Sequence, residues 1–475
     1  MLLVSFNKYK AIYYTLIFAF LLLLRLVFFA EAAPFDYDSV KNYQIIEEIA
    51  TGDWHNFFHH ASPILYLFFL PFYFINASFE FLVSINAFVG VWAVFLWSRL
   101  LEKNRIFFVF FLGISFSLIS FSLYFSIENL SLLSFAILLI ELKKMQKNSN
   151  SNNFVKIGIW ASITLFINYK AIVPLFFIGL VLIFLGKKNT KFYTHIFIGA
   201  LGVFLLLTFI GVLAGLAWYQ YPAVLFRIFG VAERINPTKY EISYYFAYIL
   251  KFDVFLIFLS FWGAASIFKR SSLANKIFLV SSIGTFLVMS LLPKAPRGLI
   301  FWLPIAYLLT FNWLYQIKYK GLFFIIFVLF SVFQLYNYYQ YILPYKHSQY
   351  KEAAKYLKEK KVEVVFTTLS INIYPYLSKS IQLVVLREIK DTLLFKDFKG
   401  KKYLLYDTYC EISNHTDLKI LKPQQADTSF FEKSLLQPML YLENSEYTGW
   451  GFEESLQKQK EIKEQTKHLY LKSLK

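Results

Sequence analysis

Charge and cysteine are both scarce in this sequence. Charged residues occupy 16% of the 475 positions, whereas an average soluble domain carries roughly 25%. The single cysteine, Cys410, cannot form an internal disulfide, a two-cysteine redox motif or a multi-cysteine metal site. The chain also lacks a Gly-rich phosphate loop and a Walker pattern. Paired-thiol chemistry and nucleotide binding by a P-loop are therefore excluded.

Apolar surface is what the sequence has in excess. Hydrophobic residues make up 57% of the chain, with 56 Phe and 34 Tyr among them, and the mean hydropathy is +0.50. A soluble domain of this composition would have too little polar surface to cover its core, and disordered chains are poor in apolar residues. We therefore predict an integral membrane protein. The net charge of +18 is typical of nucleic-acid binding, but Lys and Arg collect beside apolar segments, as membrane topology requires, so no nucleic-acid partner is expected.

Residues 1–340 are predicted to form an all-α polytopic membrane domain, because apolar windows of about 20 residues suit transmembrane helices. The apolar stretch 63–75 is only about 13 residues long, which favours a re-entrant or interfacial helix. About eleven candidate spans lie near residues 11–30, 80–98, 106–124, 129–142, 154–169, 171–186, 195–217, 249–268, 277–292, 298–315 and 321–337.

The distribution of Lys and Arg orients these spans. With a cytoplasmic N-terminus, the inside loops carry most of the basic residues, as the positive-inside rule requires. The first apolar run resembles a signal peptide, but its length of roughly 20 residues and its Arg25 favour a retained anchor. We therefore expect a multi-pass protein of the cell (inner) membrane whose C-terminal region is extracytoplasmic.

From about residue 338 the composition becomes that of a soluble domain. Lys and Glu are frequent and the long apolar runs end. An amphipathic helix is predicted over 350–361, followed by short strands over 362–367, 381–386 and 402–406. The last stretch, 452–475, has the polar pattern of a helix or a tail. Since helix and strand alternate, residues 341–475 are predicted to form a small α/β domain with a helical tail.

The first outer loop, residues 31–78, begins with an acidic stretch in an otherwise basic protein. Residues 39–50 are predicted as a short helix that Asp38 or its neighbour caps and Gly52 ends. In extended backbone Asp36 and Asp38 would point to the same side. Both carboxylates are candidates for general-base or metal-binding roles. The alternative is that they are solvated loop acids and a helix cap.

Two histidines, His59 and His60, follow in the same loop. They are candidates for metal binding or acid–base chemistry, because imidazole serves both purposes. A histidine pair near an interface is more often structural, so this alternative stays open. A divalent metal ion is a candidate cofactor on the strength of the Asp-x-Asp pattern alone.

Four further charged residues lie at the predicted outer ends of spans, where charges are costly and are functional hypotheses by default. Glu128 precedes one span, Lys170 lies in a tight outer turn, and Lys294 and Arg297 lie in a proline-flanked segment. Lys and Arg at an outer cavity suit a phosphate or pyrophosphate, with Arg offering paired hydrogen bonds. The alternative, strongest for Lys170, is that the side chain snorkels to the interface.

The order of these features resembles membrane glycosyltransferases with the type C fold (GT-C). The pattern of the sequence is most similar to that of the protein O-mannosyltransferases and the lipid A aminoarabinose transferases, that is, glycosyltransferase family 39 and its bacterial relatives. The resemblance covers residues 1–340. Two positions depart from it: Ser39 stands where the family often has Glu, and Gly298 where it commonly has Tyr. The segments that carry it are Arg25, Asp38-Ser39, Gly52-Asp53-Trp54, Ser62-Pro63, Ser126-Ile127-Glu128-Asn129, Asn168-Tyr169-Lys170, Lys294-Ala295-Pro296-Arg297 and Leu303-Pro304.

The resemblance implies a specific reaction. Such enzymes move a sugar from a polyprenyl-phosphate carrier to an acceptor on the outer face of the membrane, with inversion at the anomeric carbon. It implies Asp38 as general base, with Asp36 and Glu128 as alternatives. It also implies Lys294 and Arg297, joined by Lys170, as the cations that bind the donor phosphate. The expected enzyme is a hexosyl- or pentosyltransferase whose acceptor is a lipid, a glycan or a protein.

Two functions of other classes stay open at this point. A transporter or flippase of lipid-linked sugars would also have many spans, but such proteins often show internal repeats and polar groups near the midplane. A non-catalytic membrane assembly factor would use residues 338–475 as its working part. Only the transferase should lose activity, while remaining folded, when Asp38 is changed.

Overall fold

The computed structural model is described here for most of the chain. The described residues are 10–26, 37–145, 151–185, 190–234, 241–253, 259–260, 262–265, 273–292, 294–345, 348–412, 417–465 and 467–474.

Among the described residues up to 341, all regular structure is helical. Three short 3-10 turns bear on the site described below: His59–Ala61, Tyr169–Ala171 and Pro296–Leu299. The α-helices are α1 Lys10–Leu26, α2 Tyr37–Ala50, α3 Pro63–Ile75, α4 Phe79–Trp97, α5 Arg105–Gly113, α6 Phe116–Leu123, α7 Glu128–Met145, α8 Ser151–Ile167, α9 Ile172–Leu185, α10 Thr190–Leu213, α11 Gln220–Arg234, α12 Tyr244–Phe252, α13 Leu273–Met289, α14 Leu303–Gln316 and α15 Lys320–Tyr341.

Several of these helices are suited to a bilayer. Among the described residues, three helices are long and apolar enough to cross a membrane: α4, α10 and α15. A fourth span results if the bent pair α5 and α6 is counted as one. Most of the described helices lie close to predicted windows, and a membrane protein is confirmed at this level. The window 249–268 lies partly outside the described residues, and α12 ends within it at Phe252. The count of about eleven spans stays a prediction.

The predicted span 106–124 is divided into α5 and α6, which meet at an angle of 61°. The break has its own hydrogen bonds: the Ser115 hydroxyl accepts from the backbone N–H of Leu118 as an N-cap. Gln334 Oε1 accepts from the N–H of Phe116 at 2.6 Å, and Arg25 Nη2 donates to the carbonyl of Gly113 at 3.1 Å. Side chains therefore satisfy backbone groups that a continuous helix would have paired internally.

The C-terminal part forms the small α/β domain that the sequence predicts. Strands β1, β2 and β3 are parallel, β5 is antiparallel to β3 and β4, and the sheet order is β2-β1-β3-β5-β4. The elements are α16 Tyr350–Glu359, β1 Val364–Thr368, β2 Gln382–Leu386, β3 Lys402–Asp407, α17 Tyr409–Ile412, β4 Thr428–Phe430, α18 Pro438–Glu443, α19 Ser445–Thr448, α20 Phe452–Lys463 and β5 Leu469–Leu474.

The end of the chain differs from the predicted helical tail, because α20 is followed by strand β5. Leu469 and Leu471 are buried, whereas Lys472 is exposed. β5 lies between β3 and β4 and pairs with both. A six-residue strand of this kind is hard to recognise beside a polar helix, since its backbone partners come from elsewhere in the chain.

The α/β domain packs over α2 and the start of α4. Tyr374 donates a hydrogen bond to Glu47 Oε2 at 2.8 Å, and Lys351 forms an ion pair with Glu80. The N-terminus of α2 is two residues earlier than predicted, and the helix ends before Gly52, whose φ of +94° is the left-handed region that favours glycine. These contacts put the acidic first loop beneath the C-terminal domain.

Candidate active site

A cavity of about 60 Å³ opens where distant segments of the chain meet under the α/β domain. The N-terminus of α2, the start of α7, the turns Tyr169–Ala171 and Pro296–Leu299, and α19 of the C-terminal domain all contribute to it. Its walls are strongly polar. The lining residues are Asp38, Asn42, His60, Ser126, Ile127, Glu128, Tyr169, Lys170, Arg297 and Glu446.

Asp38 lies in the first turn of α2, where the helix dipole favours a carboxylate. Its Oδ1 is 3.4 Å from His60 Nε2, its Oδ2 is 3.7 Å from Arg297 Nη2, and the side chain is 25% exposed. Burial by itself disfavours the charged carboxylate, but His60 and Arg297 outweigh it and hold the pKa of Asp38 well below its usual range. Asp38 is therefore an ionised acceptor at neutral pH.

Two side chains of α2 fix the helix against the segment before α7. Ser39 Oγ accepts a hydrogen bond from the N–H of Phe125 at 3.0 Å, and Asn42 Nδ2 donates to the carbonyl of Phe125 at 3.1 Å. The Tyr66 hydroxyl donates to Asn42 Oδ1 at 3.2 Å. Since all these groups are buried, the position of Asp38 relative to Glu128 is set by satisfied polar contacts.

Glu128 is the first residue of α7 and is 4% exposed. Its Oε2 accepts a hydrogen bond from the Ser126 hydroxyl. The helix N-terminus favours a negative charge at this position. Glu128 thus supplies a second acidic group to the cavity.

The two histidines have different positions. His60 lines the cavity in a left-handed conformation, with φ 51°, and Ala61 after it has φ 55°. Such backbone costs free energy and is frequent at functional sites. His59 does not line the cavity, but its ring packs against that of His60, with the ring centroids 4.0 Å apart. Burial lowers the pKa of His59 to about 3.

The described residues bring no group of three or more His, Cys, Asp or Glu side chains together in a geometry that could hold a metal ion. Asp36, the other half of the predicted Asp-x-Asp pair, lies outside the described residues. The described part of the loop therefore provides Asp38 and His60, which alone do not fit a complete metal site.

Lys170 reaches the cavity from a capped turn. Asn168 Oδ1 accepts a hydrogen bond from the N–H of Lys170 at 3.0 Å, and Lys170 Nζ is 3.8 Å from Glu446 Oε2. Burial disfavours the ammonium group, but the carboxylate of Glu446 outweighs this and raises the pKa of Lys170 above its usual value. Lys170 is therefore a cation that faces the cavity rather than the membrane interface.

Arg297 is fixed in the cavity wall by hydrogen bonds to one carboxylate and by an aromatic ring. Its Nε donates to Glu443 Oε2 at 2.9 Å, and its backbone N–H lies 3.2 and 3.3 Å from the two oxygens of the same carboxylate. Its guanidinium carbon lies 5.4 Å from the centroid of the Tyr124 ring, within the range of a cation–π contact. Arg297 thus joins the membrane helices to the C-terminal domain.

Gly298, which departs from the family pattern, has no room for a side chain. A Cβ there would meet the hydroxyl of Tyr245 and, at 2.8 Å, the terminal carbon of Met289. The Tyr245 hydroxyl donates to the carbonyl of Ala295 at 3.0 Å. In this chain the side chain of Tyr245 therefore occupies the space beside Gly298, in the turn Pro296–Leu299.

Lys294 does not line the cavity, although the sequence pairs it with Arg297. It is fully buried, and its Nζ donates to the carbonyl of Leu292. Burial lowers the pKa of Lys294 to about 8, with Glu241 acting in the opposite direction. A turn can place neighbouring side chains on opposite sides, which a short sequence motif does not reveal.

Sequence reasoning missed Glu443 and Glu446. Both come from the C-terminal domain and are paired with the cations Arg297 and Lys170. The segment 438–448 has no motif that could have marked them. The structure therefore brings together Asp38, His60, Glu128, Lys170 and Arg297 of the predicted residues, and adds two carboxylates.

A second, apolar cavity of about 120 Å³ lies between α12, α13 and α14. Phe246 of α12, Phe286 of α13 and Trp302 before α14 line it, and their rings pack with centroids 4.9–5.0 Å apart. Met289, on the same helix as Phe286, approaches Gly298. An apolar volume is thus adjacent to the segment that carries Arg297.

The helices and the α/β domain together form the type C glycosyltransferase fold, so the resemblance predicted from the sequence is confirmed at the level of fold. No family model matches the chain, and no curated protein matches it by sequence.

Solved structures of two proteins show this likeness. ArnT from Cupriavidus metallidurans in the apo state has a TM-score of 0.60 at 11% identity, over 89% of this chain and 96% of that chain. ArnT bound to undecaprenyl phosphate has a TM-score of 0.61 at 9% identity, with the same coverage. The archaeal oligosaccharyltransferase AglB from Archaeoglobus fulgidus, in complex with an inhibitory peptide and a dolichol-phosphate, has a TM-score of 0.56 at 12% identity, over 85% of this chain and 70% of that chain.

Proposed function

We propose that this protein is a membrane glycosyltransferase that moves a sugar from a polyprenyl-phosphate carrier to an acceptor outside the cytoplasm, with inversion at the anomeric carbon. The observation that carries the proposal is the cavity itself. It combines the carboxylate of Asp38 with the cations Arg297 and Lys170, which are the groups that both halves of such a transfer need.

The acceptor half of the reaction requires a base. As the acceptor hydroxyl attacks the anomeric carbon, it must lose its proton, and Asp38 accepts it. Asp38 is ionised, cavity-lining and 25% exposed, so substrate can reach it. Glu128 on the same wall is the alternative base, and Asp36 is a further candidate from the sequence. A single displacement of this kind inverts the anomeric centre.

The donor half requires cations. The bond between the anomeric carbon and the phosphate oxygen breaks, and the departing lipid phosphate gains negative charge that fixed cations stabilise. Arg297 and Lys170 lie on the cavity wall and are held by Glu443 and Glu446, so they need little reorganisation. Lys294 is not assigned this role.

The lipid of the donor needs an apolar site next to the phosphate. The cavity of Phe246, Phe286 and Trp302 is apolar and adjacent to the Arg297 turn, so we assign it to the first part of the polyprenyl chain. ArnT bound to undecaprenyl phosphate and AglB with a dolichol-phosphate share this fold, which supports a lipid-phosphate donor here.

The proposal is tested with the substitution Asp38→Asn in the purified full-length chain. The amide keeps the shape of the side chain but cannot accept a proton at neutral pH, and a general base typically contributes ~10²–10⁴-fold. We expect transfer from polyprenyl-phosphate sugars to fall by that range while binding of undecaprenyl phosphate is retained. Mass spectrometry of the lipid and acceptor products measures transfer.

The matched control is Asp53→Asn, because Asp53 is in the same loop but exposed and away from the cavity. It should leave transfer at the wild-type rate. Near-normal transfer by Asp38→Asn would exclude this carboxylate as the base, and Glu128→Gln would then be the variant to measure. A transporter would move the donor lipid between leaflets without forming a glycosylated product.

A further inference from the structure

One of the contacts between the two domains is made by a buried carboxylate at the edge of the cavity. Glu443, the last residue of α18, is 1% exposed and lies 146 positions from Arg297 in sequence. It accepts a hydrogen bond from Arg297 Nε at 2.9 Å and also faces the backbone N–H of Arg297. Glu443 itself does not line the cavity, so it acts on the site only through the arginine.

The geometry of this contact fixes the direction of the guanidinium group. Nε is the donor nearest the side-chain stem of an arginine, so a hydrogen bond there restricts rotation of the planar guanidinium group, which carries its other donors on the two terminal nitrogens. One of them, Nη2, is 3.7 Å from Asp38 Oδ2 on the cavity wall. The ring of Tyr124 lies beside the same group. The side of Arg297 that can meet a phosphate therefore points into the cavity.

Glu443 is itself held from both domains. The Tyr244 hydroxyl in the membrane domain donates to the carbonyl of Leu442 at 2.9 Å, and the Tyr409 hydroxyl in the α/β domain donates to Asn444 Oδ1 at 3.2 Å. Both neighbours of Glu443 in the chain are thus fixed. Burial raises the pKa of Glu443 to about 8, even though the adjacent guanidinium favours its charged form.

We propose that Glu443 is a positioning residue that aims Arg297 at the donor phosphate, so that the C-terminal domain completes the phosphate site of the membrane domain. This inference rests on the proposed function. Misplacing a group that contacts the reacting centre by about 1 Å can cost about 10²-fold in rate. Loss of Glu443 should therefore affect the donor and leave the acceptor KM unchanged.

The test is a double-mutant cycle of Glu443→Gln and Arg297→Lys in the full-length chain. Lysine keeps the positive charge but has no Nε for Glu443 to orient. In the Arg297 background, Glu443→Gln should weaken binding of undecaprenyl phosphate and lower kcat/KM for the donor by about 10-fold to 10²-fold. In the Arg297→Lys background the same change should cost less than about 3-fold, since coupled residues are not additive.

The matched control is Glu461→Gln, the same change at an exposed carboxylate of the α/β domain that pairs with Lys458. It should have no effect in either background. Equal losses from Glu443→Gln in both backgrounds would show a general structural role and would overturn the proposal. An unchanged affinity for the donor in Glu443→Gln would overturn it as well. If Glu443→Gln does not fold, Glu443→Asp, which keeps the charge but withdraws it by one methylene, takes its place in the cycle with the same criteria.

Binding and turnover separate this inference from the proposed function. If the wild-type chain binds undecaprenyl phosphate but transfers no sugar, the proposed reaction is wrong, while the effect of Glu443 on lipid-phosphate affinity still decides the positioning role. If the wild-type chain transfers sugar and the cycle shows no coupling, only the positioning role is wrong.

Discussion

At the scale of single residues, the charged side chains of the cavity stabilise one another in their ionised forms. Asp38 stays ionised because of His60 and Arg297, and Lys170 stays charged because of Glu446. Each of these groups would be costly to bury alone, and pairing removes most of that cost. The arrangement puts opposite charges next to each other in one cavity, where an acceptor hydroxyl and a lipid phosphate can be placed side by side.

Lys294 and Arg297, the two cations on either side of Pro296, should differ in their effect on donor binding. Arg297→Ala should weaken binding of undecaprenyl phosphate and also lower kcat, because the phosphate is charged in both the ground and the transition state. A hydrogen bond to a charged group contributes about 1.5–3 kcal/mol, which corresponds to roughly 10-fold to 10²-fold in affinity. Lys294→Met, which keeps the aliphatic stem, should change affinity by less than about 3-fold, since Lys294 does not line the cavity and its Nζ donates to the carbonyl of Leu292.

Equilibrium binding of the lipid to both purified variants measures this difference. Equal weakening by the two substitutions would mean that Lys294 contacts the phosphate after all, as its sequence motif implies. In that case the donor phosphate would contact both Arg297 and Lys294, and the phosphate site would extend beyond the cavity that Asp38 and Arg297 share.

At the scale of secondary structure elements, the polar contacts that shape the site lie at the ends of helices. The break between α5 and α6, the start of α7 and the turn at Pro296 all have polar side chains that satisfy the backbone. In a membrane such breaks are tolerated only where protein or a water-filled cavity surrounds them. Two of these element ends, those before α7 and α14, carry residues of the site.

The end of strand β3 should make the α/β domain sensitive to pH. Asp407 is 1% exposed, and burial raises its pKa to about 7 from 3.8, although the Tyr350 hydroxyl donates to it at 2.9 Å. Between these values the folded state binds more protons than the unfolded state, so stability should fall as pH rises from about 4 to about 7. The contribution is on the order of a few kcal/mol.

Substituting Asp407→Asn should remove this part of the pH dependence. The apparent Tm of the full chain, measured at pH 5 and pH 8, should differ less for this variant than for the wild type. Asp397→Asn, at an exposed position of the same domain, should keep the wild-type difference. An unchanged difference in Asp407→Asn would show that the buried carboxyl does not titrate in this range.

At the scale of the whole molecule, the α/β domain and the acidic loop form one face. Tyr374 and Lys351 of the domain contact Glu47 of α2 and Glu80 of α4. The cavity lies between these layers, so substrates on the side of the C-terminal domain can enter it. The basic residues of the inside loops predict that this side is outside the cytoplasm.

Cysteine labelling tests that orientation. In a Cys410→Ala background, single cysteines replacing the exposed residues Asp53 and Lys433 should react with an impermeant maleimide in intact cells. A cysteine replacing Arg99, exposed at the opposite end of α4, should react only after the membrane is opened. Reaction of the Arg99 position alone in intact cells would reverse the topology and place the proposed donor site in the cytoplasm.

The sequence by itself determined what depends on neighbours along the chain. A run of about 20 apolar residues favours a transmembrane helix in any context, so most of the described helices lie near predicted windows, and 63–75 is the short helix predicted. Short runs rich in β-forming residues likewise located β1, β2 and β3. The order of short motifs was sufficient to predict the fold that the solved structures share.

Only the tertiary structure decided which charges meet. Lys294 and Arg297 are three positions apart, yet one is buried away from the cavity and the other lines it. Glu443 and Arg297 are 146 positions apart and in contact. Hydropathy and helix signals act over a few residues, whereas an ion pair in a cavity depends on how whole elements pack. The sequence therefore determined the membrane fold and most of the candidate residues, and packing determined the composition of the site, because electrostatic contacts depend on distance in space.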